Sequence, residues 1–165
     1  MPPSKDDPRP NPLAEPSGSD YYTHTVHNDT YPAISPLSIN LSGKSVFICG
    51  ASRGIGKIIA LSYARAGATQ IAIGARSNLS DVGREVEAAA KEAKRASPKV
   101  LPLSLDVTSK ESVAKAAEEV KKEFGKLDIL INNAGILGKR ALVADADADD
   151  WYVAYRACPC APSAF

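Results

Sequence analysis

The run Lys44-Ser45-Val46-Phe47-Ile48-Cys49-Gly50-Ala51-Ser52-Arg53-Gly54-Ile55-Gly56 begins as a continuous apolar segment of strand length and ends in a turn carrying three glycines. A helical pattern follows over residues 54–66, with Ile55, Ile58, Ile59, Ser62, Tyr63 and Ala66 expected on one face. An apolar strand that enters a glycine turn and then a helix is the first half of a βαβ unit, whose parallel strands are covered on both sides.

The same alternation continues on the C-terminal side. Residues 69–75 read as a second strand, and the stretch from about 80 to 96 as a helix with Val82, Val86, Ala89 or Ala90, and Ala93 on its apolar face. Residues 99–105 read as a third strand. Thr108-Ser109-Lys110-Glu111 has the form of a capping box, opening a helix with Val113, Ala117, Val120 and Phe124 in register and Gly125 as its stop. Residues 127–131 read as a fourth strand running into Asn132-Asn133-Ala134-Gly135. Apolar strands joined by helices of this length form right-handed crossovers, so the expected class is α/β, a doubly wound parallel sheet.

In such a sheet the turn after the first strand presents a helix N-terminus to ligand. Gly50, Gly54 and Gly56 then have separate tasks: a tight turn, close approach of the backbone to a pyrophosphate, and close packing of helix on strand. The free N–H groups and the helix dipole at that point favour a dianionic group.

The Gly-x-x-x-Gly-x-Gly spacing, followed by Asn-Asn-Ala-Gly after the fourth strand, closely resembles the short-chain dehydrogenase/reductase family. The resemblance covers about residues 41–151 and implies a Rossmann-type sheet, here incomplete with about four strands. It also implies that Asp106-Val107 contacts an adenine. The residues expected around a dinucleotide are thus Gly50, Ser52, Arg53, Gly54, Ile55, Gly56, Arg76, Asp106, Val107, Asn132, Ala134 and Gly135. Asn132 and Asn133 are expected to hold backbone groups at the strand ends and to shape the cofactor cleft, and Gly135 to let the chain pass the cofactor closely. Cys49 stands where many members carry Thr and is expected to pack as a small buried residue, nothing nearby supplying a base.

Folds selective for NAD place an acid at the end of the second strand to accept both ribose hydroxyls. Here that place reads Gly74-Ala75-Arg76-Ser77 and holds no acid. Arg76 and Arg53 instead offer two planar guanidinium groups to a 2′-phosphate. The expected cofactor is NADP rather than NAD, the alternative being two solvated surface arginines.

The family's reaction moves a hydride between a nicotinamide and a carbonyl or alcohol carbon, with a Tyr as acid or base, a Lys four residues later and a Ser on the substrate oxygen. An unaided phenol titrates near 10, so the Lys matters. No such pair occurs: four residues after Tyr21, Tyr22, Tyr31, Tyr63, Tyr152 and Tyr155 stand Thr25, Val26, Ser35, Gly67, Arg156 and Pro159. Tyr152 with Arg156 is the nearest mimic, and the helical Asn that the family places after a Trp like Trp151 falls on Cys158. The chain is therefore expected to keep a dinucleotide half-site and lack catalytic residues, as a truncated product altered after about residue 151. The alternatives are a non-catalytic nucleotide-binding or regulatory module and a non-functional product. An exposed fourth strand would invite pairing in a homo- or hetero-oligomer.

The flanks and the composition fill in the rest. Residues 1–40 hold eight of the twelve prolines and read as a disordered leader, within which His24 and His27 lack further metal ligands; residues 152–165, with Pro159 and Pro162, read as an irregular tail. The 165 residues carry 20 Lys and Arg against 19 Asp and Glu, a balance that disfavours nucleic acid. No apolar run approaches the roughly 20 residues of a membrane span, and no secretory core stands at the start, so the expected compartment is the cytosol. The three cysteines, two of them as Cys158-Pro159-Cys160, fit neither a disulfide framework nor a metal site.

Overall fold

Every residue of strand β1 (Ser45–Cys49) is buried, which places it inside a sheet. The computed structural model describes residues 30–136 together with residues 142, 144, 147–150 and 152. In it β1 pairs in parallel with β2 (Gln70–Ala75) and with β4 (Ile129–Asn132), while β3 (Lys99–Ser104) lies outside β2, giving the order β3-β2-β1-β4. Helices α1 (Gly54–Arg65) and α2 (Ser80–Glu92) cover one face, against Val46, Ile48, Ile71 and Ile73. Helix α3 (Lys110–Phe124) covers the other, against Phe47, Cys49 and Ala72. The sheet is thus a doubly wound α/β layer. After β3 the chain crosses back to the far side of β1, so the strand order reverses between β1 and β4, where open α/β sheets bind ligands.

Two helices differ from their sequence-based expectation. Helix α1 buries Gly56, Ala60 and Ala64, not the expected isoleucine face, and leaves Ile55 at 72% and Ile58 at 60% exposure. Small residues at every fourth position let the helix backbone approach the sheet, and Ile59 and Tyr63 pack at the flanks of that contact. In α3 the cap is Ser109, one residue beyond the expected Thr108: the Ser109 hydroxyl accepts from the Ser112 N–H at 3.2 Å and donates to Glu111 at 2.9 Å. Thr108 instead donates its hydroxyl and its N–H to Asp106. With the cap moved, Ala116 rather than Ala117 joins Val113, Val120 and Phe124 in the core.

A polar lock joins the starts of β1 and β4. Ser45 is fully buried; its hydroxyl donates to the Lys126 carbonyl at 2.9 Å, and the Asp128 N–H reaches that hydroxyl at 3.0 Å. The Ser45 N–H donates to the Asp128 carboxylate at 2.8 Å. Ser45→Ala removes these hydroxyl hydrogen bonds from a fully buried position and is expected to cost roughly 1–3 kcal/mol, measured by urea denaturation. The Asp128 carboxyl is held well below the usual 3.8, first by the Ser45 backbone N–H and then by Lys126. A lowered carboxyl stabilises the fold fully above its unfolded value and loses that contribution as pH falls below it. The acid limb of stability is therefore expected to begin at about pH 4, and Asp128→Asn to flatten it in thermal transitions recorded from about pH 2 to 6.

The expected leader lies outside the described residues up to residue 29. Its last stretch is ordered: Pro32–Ile34 and Pro36–Ser38 form two 3-10 turns, each begun by a proline. Arg95, after α2, donates to the carbonyls of Leu37 (3.0 Å) and Ile39 (2.9 Å) and, through Nε, to that of Arg65 (3.2 Å). One guanidinium therefore binds this strap to the ends of both helices. The expected tail over residues 152–165 lies outside the described residues apart from Tyr152, as do Arg156, Cys158 and Cys160.

Candidate functional site

The C-terminal ends of the four strands open into one pocket of about 780 Å³, lined by residues 50, 52–55, 75–77, 105–108 and 133–136. Its floor is the turn after β1. Gly74, at the end of β2, accepts from the N–H groups of Gly50 (2.7 Å) and Ala51 (3.2 Å), which sets the start of the turn. Gly50 has φ +78°, and a Cβ there would lie 2.6 Å from the Ala134 Cα, so only glycine lets the β1 turn touch the loop after β4. The Asn133 side-chain amide donates to the Gly50 carbonyl at 3.0 Å and fastens the two loops together. Gly56 packs against the same carbonyl and amide, with no room for a side chain. Gly54, at φ +59°, faces open space on the pocket side.

The electrostatics of the pocket favour an anion. Helix α1 begins at Arg53 with no side-chain cap and no acid in its first turn, whereas α3 has both Ser109 and Glu111. The first N–H groups of α1 are thus left for a ligand at the positive end of the helix dipole. Arg53 and Arg76 are exposed on the pocket wall, and neither forms an ion pair or side-chain hydrogen bond with another described residue. Beyond the end of β3 the wall is set by Asp106. Its Oδ1 accepts from the Thr108 N–H at 2.9 Å and the Thr108 hydroxyl at 2.7 Å, while its own N–H donates to the Ser112 hydroxyl. Cys49 lies buried behind the turn, and burial pushes its thiol up to about 11, which leaves it protonated and inert.

Of the residues expected from sequence, the pocket gathers Gly50, Ser52, Arg53, Gly54, Ile55, Arg76, Asp106, Val107, Ala134 and Gly135. Gly56 and Asn132 do not line it: Gly56 supports the turn from behind, and Asn132 is the exposed last residue of β4. Asn133, expected to shape the cleft, lines it too, and the pocket adds Ala75, Ser77, Leu105, Thr108 and Ile136. Each is a direct neighbour of a motif residue, so the rule that ligands meet the residues just beyond strand ends was the available signal. Among the described residues no three His, Cys, Asp or Glu are grouped to hold a metal, and no helix is long and apolar enough to cross a membrane.

The family model for short chain dehydrogenases matches residues 44–157. The chain is 50% identical over 152 residues to the short chain dehydrogenase pigC of Monascus ruber, covering 92% of this chain and 49% of that one. It is 52% identical over 152 residues to tazN of Aspergillus terreus, covering 92% of this chain and 32% of that protein. Against the 3-oxoacyl-[acyl-carrier-protein] reductase FabG of Thermotoga maritima it is 37% identical over 114 residues, covering 68% and 43%. The chain therefore spans about half the length of these relatives, or less. Among solved structures, L-sorbose reductase of Gluconobacter frateurii with NADPH and L-sorbose superposes with a TM-score of 0.60 at 35% identity, covering 72% of this chain and 43% of that one. NAD+-bound xylitol dehydrogenase superposes with a TM-score of 0.60 at 32% identity, covering 71% and 43%.

Proposed function

The chain belongs to the short-chain dehydrogenase family, and we propose that its 165 residues hold NADP for an oxidoreductase of the carbonyl reductase or alcohol dehydrogenase kind. The observation that carries the choice of cofactor is the pair Arg53 and Arg76, facing the pocket without partners among the described residues, where an NAD-selective site would hold an acid. Two guanidinium groups bind a 2′-phosphate by charge-assisted hydrogen bonds, and that phosphate is what separates NADP from NAD. Similar structures hold either dinucleotide, and it is these two side chains that favour NADP here.

The remaining residues fit the group. Gly54 leaves space for a pyrophosphate over the uncapped start of α1, Gly50 and Asn133 fix the turn beneath it, and Asp106 with Val107 forms the wall for the adenine. When bound, the nicotinamide supplies a hydride. These residues contribute binding and orientation, not proton transfer, because the sequence has no Tyr with a Lys four residues later. The proposal is thus a dinucleotide half-site that binds without turnover.

Calorimetric titration of the chain with NADPH and NADH tests it: saturable binding with NADPH at least tenfold tighter is expected, about 1.4 kcal/mol. Equal affinities, or sustained NADPH oxidation by the pure chain with a carbonyl compound, would contradict it. A second reading rests on β4, which among the described residues has a neighbour only on its β1 side. A nucleotide-binding module would complete its sheet there with another chain, and light scattering that gives a monomer at all concentrations, alone or with a full-length relative, would reject that reading.

A further inference from the structure

The residues between β3 and α3 are tied together by hydrogen bonds that converge on Asp106. The Leu105 N–H donates to the Ala75 carbonyl at 3.0 Å, which fixes the chain to the end of β2. The Asp106 N–H donates to the Ser112 hydroxyl at 2.9 Å, and the Asp106 carbonyl accepts from the Ser109 N–H at 3.1 Å. The Asp106 Oδ1 accepts from both the N–H and the hydroxyl of Thr108. A carboxylate is planar, so two donors from one residue on Oδ1 also set the direction of Oδ2.

These bonds do not cap a helix. A carboxylate just ahead of a helix usually accepts from the N–H groups of its first turn, but in α3 the Ser109 hydroxyl does so, accepting from the Ser112 N–H. Asp106 and Thr108 instead line the pocket, whereas Ser112 is not among the lining residues and reaches the wall through the Asp106 N–H. On the reading that the pocket takes a dinucleotide with its adenine against Asp106 and Val107, we propose that Thr108 and Ser112 are positioning residues. They aim the Asp106 carboxylate at the exocyclic amino group of the base and so make the site selective for adenine over hypoxanthine. An amino group donates to a carboxylate, whereas hypoxanthine presents a carbonyl oxygen at the same place, which a fixed carboxylate repels. A carboxylate that turns would separate the two bases less well.

Calorimetric titration with adenine and hypoxanthine dinucleotides tests this, using NADPH and NADH each beside its hypoxanthine analogue. The wild-type chain is expected to prefer adenine about tenfold. Thr108→Val and Ser112→Ala are each expected to reduce that ratio to about threefold or less, and Thr108→Ser to restore it. In an Asp106→Ala background neither change is expected to lower the ratio further, because both act through that carboxylate. Thermal transitions follow the folding of each variant, and a loss of stability alone lowers both affinities together and leaves their ratio unmoved. An unchanged ratio in Thr108→Val and Ser112→Ala would overturn the proposal, and a further fall in the Asp106→Ala background would do so too, by giving Thr108 its own contact with the base. Equal affinities for NADPH and NADH would contradict the NADP reading alone, since the adenine ratio is read on either pair. Absence of binding by all four dinucleotides would overturn both.

Discussion

Gly50→Ala is expected to lower the thermal transition by about 10 °C or more and to abolish dinucleotide binding. Two costs add. An L side chain in the left-handed backbone region that Gly50 occupies costs about 1–2 kcal/mol, and forcing the Ala134 backbone away from a Cβ 2.6 Å distant costs about 1–3 kcal/mol more. Against a total stability of about 5–15 kcal/mol, that is a large share. Gly43 is the control: its φ is also +78°, but nothing lies within 4 Å of a Cβ there, so Gly43→Ala carries the backbone cost alone. Urea denaturation of both variants separates the terms, and equal losses would show that the contact between the β1 turn and the loop after β4 carries no weight.

Arg76→Glu is expected to leave the thermal transition unchanged and to invert cofactor preference. The side chain is exposed and has no described partner, so folding does not depend on it. Toward a 2′-phosphate the change removes a charge-assisted contact and adds a repulsion, together about 3 kcal/mol or roughly 100-fold in NADPH affinity. Toward NADH the new carboxylate can accept the ribose hydroxyls, a gain expected to be a few-fold. Titrations of the variant with both dinucleotides read this directly, and an unchanged NADPH affinity would assign Arg76 to solvent.

What could be read from the sequence follows a physical division. The order of strands and helices was legible because β1, β2 and β4 are apolar runs and each helix has its own period. The glycine turn was legible because its three glycines have distinct steric jobs that other residues cannot do. The buried face of α1 was not, since a hydrophobic period favours Ile55 and Ile58, whereas close approach of helix to sheet favours Gly56, Ala60 and Ala64. The cap of α3 shifted by one residue because Asp106 engages Thr108, a competition between neighbours that spacing does not show. The Ser45–Asp128 lock and the Arg95 clamp join residues 83 and 56 positions apart, beyond any local pattern. The contacts that hold the 3-10 turns over residues 32–38 are of the same kind, since they come from a guanidinium elsewhere in the chain.

The bond from Asn133 to Gly50 also sets a schedule for biosynthesis. The two residues stand 83 positions apart, and at roughly 5–20 residues per second a ribosome needs about 4–17 seconds to make the intervening chain. Through that interval the turn after β1 exists without the amide that secures it and without the Ala134 backbone it leans on. A nascent chain can therefore pair β1 with β2 and β3 early, while the nucleotide pocket is finished only when the last of the four strands has left the exit tunnel. Occupancy by dinucleotide then reports that translation has passed the Asn-Asn-Ala-Gly segment, and a chain arrested before it would carry the glycine motif yet remain blind to the cofactor.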